Sequence, residues 1–537
     1  MTGLPQTYLL KGDISGIQEF IFSVPSRGAA GALRARSFYV QLISDLAVDM
    51  IFQDIGYNQA TEDNSKVFYN GGGNFFLILH SDEYSEERLA AWQQKIDQQL
   101  RHEELYVSLT AVPIGNIFFD AWEEVNKMSN KNKLKPFQLS FDAFDANFNR
   151  SEVADQRVQV LAAISNRSTG NKSTSPADLP TIFGTKPDSY LDGIGEEQKR
   201  GLPKWTAQLI QDYQDVVDQM MESETTDEDR VAPKPGNIVE FGYLAEMARQ
   251  RTGSAMLGIL KLDVDNLHIA FEQGKSEASL KSLSRKLTDF FSQRLIAMRQ
   301  MDAGDSFGQE VGFNESIYTV FSGGDDCFFV GSWDAILMFA SVVQSSFSQF
   351  VKELKINQKD QSLTISAGLS LVPTHFPVVR FAEMAEDQLH LAKTKMTTSS
   401  TRKNAIGFMN QVFSWKEFEN LIFLANLMRK MIDSGQLSRS LVQKIQQTTR
   451  AYKTSSSTDQ GVVFPKVWRL TYATRDMSAQ SRSTLEEKIL HNLCSSMLAV
   501  HEGGQARDQP TRYGIISRIA ELLTRKKKSS IKSEISQ

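Results

Sequence analysis

One plan is written twice along this 537-residue chain. Residues 9 to 14 read LLKGDI and residues 258 to 263 read GILKLD, so Lys11-x-Asp13 and Lys261-x-Asp263 stand 250 positions apart. Further on, VFYNGGGNFFLIL at 67 to 79 lies opposite YTVFSGGDDCFFV at 318 to 330, and VSLTAV at 107 to 112 lies opposite SLTISAG at 362 to 368. Three echoes in one order predict two duplicated domains, each built on β-rich runs. The copies differ where Gly73 and Asn74 replace Asp325 and Asp326. The first copy keeps Asp13 but lacks the hairpin carboxylates, so it reads as catalytically silent and the second as active.

The chemistry of the active copy follows from its residue types. Ser322-Gly323-Gly324-Asp325-Asp326 sits between two short β-rich runs, which predicts a hairpin with two bare residues and two carboxylates at its tip. Glycines admit a phosphate to the backbone, and carboxylates hold hard cations such as Mg2+ or Mn2+. A lone motif of this length fits a surface hairpin with solvated acids equally well. The upstream strand MLGILKLDVDNL tips the balance, because it ends in Asp263 and Asp265 and brings a second set of oxygens. Asp263, Asp325 and Asp326, with the carbonyl of Val264, are the expected ligands of a metal pair that activates a hydroxyl and steadies the leaving pyrophosphate. Asp265 points the same way by strand alternation, yet the following Asn266 also fits a cap or turn.

Further binding residues are expected around this core. FAEMAEDQLHLAKTKM at 381 to 396 carries a helical stripe of Ala382, Ala385, Leu389 and Ala392 and ends near Lys393. Lys393 is placed to reach a triphosphate, although a lysine near a helix C-terminus also serves as a dipole partner. Lys403 follows in the next loop. In the silent copy, Gly71, Gly72 and Gly73 are expected to wall a pocket for a second nucleotide or acceptor through open backbone amides.

These segments resemble a known family. GDISGIQEFIF at 12 to 22, GALRARSFYVQLISD at 31 to 45, the DVDNL strand, FSGGDDCFFVGSWD at 321 to 334, TISAG at 364 to 368 and AEDQLHLAKTK from 385 resemble the large polymerase-like subunit of type III CRISPR effector complexes. QVFSWKEFENL at 411 to 421 resembles the family's entry into a C-terminal helical domain. The resemblance implies an α+β fold with two ferredoxin-like palm domains similar to those of GGDEF cyclases, an inter-palm domain and a C-terminal helical bundle. It implies ATP as substrate and target-RNA-activated synthesis of an adenylate messenger, with cyclic oligoadenylate as the leading product. Implied partners are CRISPR RNA, target RNA, a small helical subunit and the subunit that binds the RNA 5′ end. Joining AMP to a cosubstrate such as S-adenosylmethionine, a free-standing GGDEF-like cyclase and a silent scaffold are the alternatives.

Two departures from the family pattern shape the expectations. No His-Asp doublet occurs and the seven histidines are scattered without metal-ligand spacing, so no HD nuclease is expected. Only Cys327 and Cys494 are present, so the four-cysteine zinc site common in the family is not expected either. Two cysteines, no basic and apolar leader and no run of about 18 apolar residues fit a cytoplasmic protein without a membrane partner.

A net charge of -5 restricts any RNA contact to local basic segments. Arg27, Arg34 and Arg36 form one, and Lys131, Lys133 and Lys135 another; each also fits an ordinary solvated surface. With the repeated motifs and the resemblance as anchors, the chain is expected to divide into a first palm at 1 to 145, an inter-palm domain at 146 to 245, a second palm at 246 to 410 and a helical domain at 411 to 537. Within the second of these, WTAQLIQDYQDVVDQMM reads as one helix, and four amphipathic helices are expected in the last.

Overall fold

The computed structural model describes residues 6–25, 28–57, 66–100, 105–134, 157–165, 179–187, 190–191, 202–222, 232–274, 276–300, 312–323, 325–354, 363–395, 402–450, 467–475, 477–495 and 509–525. Each repeated segment folds as a βαββαβ unit, the ferredoxin-like form that the resemblance implies. In the first, β1 (Thr7–Ser15), β2 (Val67–Gly71), β3 (Asn74–His80) and β4 (Tyr106–Pro113) form a sheet in the order β2-β3-β1-β4. Its helices are α1 (Ile17–Phe22), α2 (Ala29–Asp54), α3 (Glu86–Leu100) and α4 (Phe118–Asn132). In the second, β5 (Met256–Asp265), β6 (Ile317–Gly323), β7 (Asp326–Ser332) and β8 (Thr364–Pro373) repeat that order as β8-β5-β7-β6. All neighbouring strands within these two sets are antiparallel, the ferredoxin-like arrangement. β9 (Ala405–Phe408), parallel to β8, and β10 (Gln411–Ser414) extend the second sheet.

The near-continuous apolar run of β5 has a simple cause: both faces of its sheet are covered. Leu257 and Ile259 point into a core shared with the first palm and with α9 (Val378–Thr394). Leu260, Leu262 and Val264 point the other way, into a core shared with α8 (Trp333–Leu354) and the C-terminal helices. Two glycines bring α9 close to the sheet. A Cβ on Gly368 would lie 2.1 Å from the Ala385 carbonyl oxygen, and one on Gly407 would lie 1.9 Å from that of Gln388. No larger residue permits this approach.

The C-terminal helices close over the second sheet. α10 (Trp415–Asp433) starts with a capping box between Ser414 and Glu417, and the Trp415 indole donates to the Ile365 carbonyl at 3.0 Å. α11 (Arg439–Arg450) packs against α14 (Gln509–Leu523), and Arg512 on α14 reaches Glu417 at 2.6 Å. Four helices were expected here. The described residues add α12 (Val467–Thr474), while α13 (Ala479–Leu485) runs on through a π-turn at Glu486–Leu490. The helix read over WTAQLIQDYQDVVDQMM is two, α5 (Ala207–Asp212) and α6 (Gln214–Glu222), broken at Tyr213. Tyr213 leaves the helical region at φ -116°, ψ 29°, and its hydroxyl accepts from Arg251, which is itself paired with Asp334 at 2.7 Å. A tertiary tie overrides the local helical pattern.

The palms pack reciprocally through their sheet edges. β2 and β6 are edge strands, and each is flanked by a helix of the other palm: α2 lies along β6, and α7 (Glu277–Asp289) along β2. Tyr318 donates to the Ala30 carbonyl, Arg34 donates to the Val320 carbonyl at 3.4 Å, and Phe22 meets Phe328 at 4.6 Å between ring centroids. Covering each edge in this way removes a free template for strand addition. Among the described residues no helix is long and apolar enough to cross a membrane.

Candidate active site

The register of β5 against β7 puts Asp263 directly opposite Asp326. The hairpin tip is tied down by its backbone, since the Val264 N–H donates to the Asp325 carbonyl at 2.9 Å. That bond leaves the Asp325 side chain exposed beside half-buried Asp326. Burial, reinforced by Asp325 and Asp263, pushes the Asp326 carboxyl up to about 7 against the pull of Lys261. Asp263 is raised by burial too, opposed by Lys393. Lys393 forms an ion pair with Asp263, and two turns earlier on the same helix face Glu386 pairs with buried Lys261. Close approach of α9 at Gly368 and Gly407 makes both contacts possible.

The expected metal cluster is present in sequence but not closed in space. Among the described residues no three His, Cys, Asp or Glu side chains converge tightly enough to hold an ion. Lys393 instead fills the place of a cation at Asp263. The donor set still suits a hard divalent ion, because crowded, raised carboxylates are relieved by positive charge.

Other expected site residues divide clearly. Asp265 is buried and structural: its Oδ2 accepts from Thr364 at 2.9 Å, Ser366 at 2.7 Å and the Asn404 N–H at 3.0 Å. Of its two readings, the turn-holding one fits. Lys403, expected on a nucleotide, donates to Asn266 at 2.8 Å, with Asn266, Lys403 and Asn404 all at positive φ. Ser322 donates to the Phe291 carbonyl at 2.6 Å, so its hydroxyl anchors the hairpin from behind. Gly323 faces open space. Gly324 lies outside the described residues, as do Arg27 and Lys135.

The first palm reproduces this geometry with one carboxylate between two lysines in place of the acidic cluster. Asp13 stands opposite Asn74 as Asp263 stands opposite Asp326. Asp13 is fully buried between Lys11 and Lys133, each at 2.7 Å, and accepts from Ser129 at 3.1 Å. Asn74 fits with its amide nitrogen turned toward Asp13, 3.1 Å from Oδ1. Two lysines leave this carboxylate no need of a metal. Lys133, expected to face RNA, is thereby committed to Asp13, because α4 ends where α9 ends in the other palm.

Two further RNA expectations change in the same way. Arg36 donates to the Phe20 carbonyl at 2.5 Å and to Ser23 at 2.8 Å, with its guanidinium over the Phe20 ring, and Arg34 lies in the palm–palm contact. Both are internal ties. Lys131 alone of the described basic candidates is exposed.

A cleft of about 880 Å³ opens between the palms. Gly72 and Gly73 line it from the first palm and Gly323 and Asp326 from the second, with Arg34 and Gln41 also exposed to it. Gly71 packs instead against Tyr69, whose hydroxyl would lie 3.2 Å from a Cβ there. Sequence reasoning missed Tyr69, Glu386 and Gln41. For Glu386 a signal existed, since it precedes Lys393 by seven residues on one helical face; Tyr69 and Gln41 gain their places beside Gly71 and in the cleft only through tertiary packing.

Comparison with known proteins decides the family. Residues 256–406 match the family model described as the second palm domain of Cas10/Cmr2, and residues 6–150 match the Csm1 subunit domain B. The chain belongs to the Cas10-type large-subunit family of type III CRISPR complexes. A Methanocaldococcus jannaschii relative named CRISPR system single-strand-specific deoxyribonuclease Cas10/Csm1 (subtype III-A) is 24% identical, over 76% of this chain and 59% of the relative. An Enterococcus italicus relative of the same name is 25% identical over 82% and 60%. The chain thus spans somewhat more than half the length of these curated relatives. The solved apo Csm1–Csm4 cassette matches at a TM-score of 0.64 and 20% identity, covering 96% of this chain and 70% of the other. The same cassette has been solved with one ATP and with cA4, which match at 0.64 and 0.63. These likenesses establish the two-palm fold.

Proposed function

We propose that this chain is the messenger-synthesising large subunit of a type III CRISPR ribonucleoprotein, joining adenylates from ATP in the cleft between its palms when target RNA is bound. One observation carries the reading: Asp263 faces Asp326 across two strands at the edge of a cleft whose opposite wall is the Gly72–Gly73 turn. Asp263, Asp325 and Asp326 would hold Mg2+ or Mn2+, which when bound supplies charge for an activated hydroxyl and a departing pyrophosphate. The backbone at Gly323 lies open for a triphosphate, and Lys393 can turn from Asp263 toward phosphate once a cation takes its place. Gly72 and Gly73 then receive the second nucleotide. Lys131 is the described residue offered to RNA, and the partners are CRISPR RNA, target RNA and a Csm4-like subunit. The four-part division at residues 145, 245 and 410 belongs to this proposal.

Mass spectrometry of the assembled complex given ATP, divalent cation and target RNA tests it. The expected outcome is an oligoadenylate, cyclic for preference, that disappears when Asp325 and Asp326 are both changed to Ala. Appreciable product from that double variant would overturn the assignment.

A further inference from the structure

The glycine turn of the silent palm is not held by its own hairpin alone. Asn70, the residue before Gly71, is clamped from both sides by the long helix behind it. The Ser44 hydroxyl donates to Asn70 Oδ1 at 2.7 Å, and Asn70 Nδ2 donates to Asp45 Oδ1 at 2.8 Å. Gln41, which lines the cleft one turn away, donates to the same Asp45 oxygen at 2.9 Å. A side-chain amide needs both a donor and an acceptor to be satisfied, and Ser44 and Asp45 supply the complementary pair.

The same device recurs in the other palm with different residues. Ser322 occupies Asn70's position in the repeat and is tied to the Phe291 carbonyl, again on a helical segment between the first and second strands. Each glycine turn is therefore anchored at its preceding side chain to a helix that also walls the cleft. A bare glycine turn has many accessible conformations, and a backbone that binds phosphate works only if its amides are already aimed. Neither the duplication nor the fold requires a side-chain clamp at Asn70, because the β2–β3 ladder already closes that hairpin at Gly71 and Asn74.

We infer that Asn70, held by Ser44 and Asp45, is a positioning residue that presets the Gly72–Gly73 turn for the second nucleotide, and that Gln41 couples occupancy of the cleft to this clamp. The inference rests on the two-nucleotide reading of the cleft. It predicts that loosening the clamp weakens the acceptor position and spares the carboxylate position.

The experiment compares wild type, Asn70→Ala, Asn70→Ser and Asp45→Asn in the assembled complex. A non-hydrolysable ATP analogue with Mn2+ is titrated by calorimetry, and turnover is followed against ATP concentration. Wild type is expected to bind two analogues per chain. Asn70→Ala should bind one at unchanged affinity and the other at least tenfold more weakly, with KM raised by a similar factor and kcat at saturation within about threefold. Asn70→Ser, which keeps a polar group at the head of the turn, should lose less than Asn70→Ala, and Asp45→Asn, which keeps the accepting oxygen, should stay within about threefold of wild type. Should Asn70→Ala fail to assemble, Ser44→Ala removes one of the two bonds and is expected to raise KM several-fold. Two equal sites and wild-type KM in both Asn70→Ala and Ser44→Ala would overturn the clamp. Only one site in wild type would overturn the two-nucleotide reading itself.

Discussion

Asp45 shows how one carboxyl in this clamp makes stability depend on pH. Burial, reinforced by Asp49 one turn on, pushes it up to about 6, opposed by the hydrogen bonds from Gln41 and Asn70. Asp49 in turn accepts from Tyr190, so no cation among the named neighbours offsets the pair. A carboxyl raised in the fold keeps its proton to higher pH than in the unfolded chain. Its stabilising contribution is complete below about 4 and lost as pH rises through about 6. With about 1.4 kcal/mol for each unit, the ceiling is about 3 kcal/mol. Asp45→Asn stays neutral throughout, so the variant should melt with wild type at pH 4 and several degrees above it at pH 7.5. Coincident melting curves at both pH values would refute the assignment. Asp263 and Asp326 were legible in sequence because strand pattern and hairpin chemistry place carboxylates at matching ends. What they touch was not: Lys393 on Asp263 depends on how closely a helix packs, and the helical stripe says only that it packs.

At the scale of elements, the sequence pattern and the fold agree wherever period and turn residues are local. The strands, the GGDD hairpin and the helix after β8 lie where apolar spacing and glycines put them. The break at Tyr213 and the π-turn at Phe290–Arg294 do not, because each is set by a distant partner or by packing against Phe347 and Phe350. Glycines at two kinds of place separate fold from site. Gly407→Ala drives a Cβ into the Gln388 carbonyl and should lift α9 off the sheet, costing about 1–3 kcal/mol and reducing turnover as Lys393 and Glu386 lose their partners. Gly323→Ala meets nothing within 4 Å, so it should leave the melting temperature unchanged while weakening ATP-analogue binding. Equal melting temperatures for the two variants would show that α9 is not held by this contact.

For the whole molecule, the two copies were legible but their embrace was not. Arg34 and Arg36 look like a basic helical surface in sequence, yet the oxygen that Arg34 reaches is 286 residues away on β6. A charge pattern cannot distinguish a face that meets solvent from one that meets a second domain, particularly when the aliphatic stem of arginine packs as well as its head bonds. The roles of the basic residues therefore separate. Arg34→Glu removes a donor from an edge-strand carbonyl and places a carboxylate in a largely buried contact beside Tyr318, at a cost of about 2 kcal/mol or more. It should lower the melting temperature of the chain with no RNA present and loosen the alignment of Gly72–Gly73 against Asp326. Lys131→Glu lies at an exposed position of α4 and should leave that melting temperature within a degree, while target-RNA-dependent synthesis falls and becomes more sensitive to salt. Thermal melting of the free subunit, paired with product yield from the complex across a salt series, tests both. If Arg34→Glu melts like wild type and only the RNA response changes, the palm–palm role of α2 is wrong and the outward-facing reading of that arginine is restored.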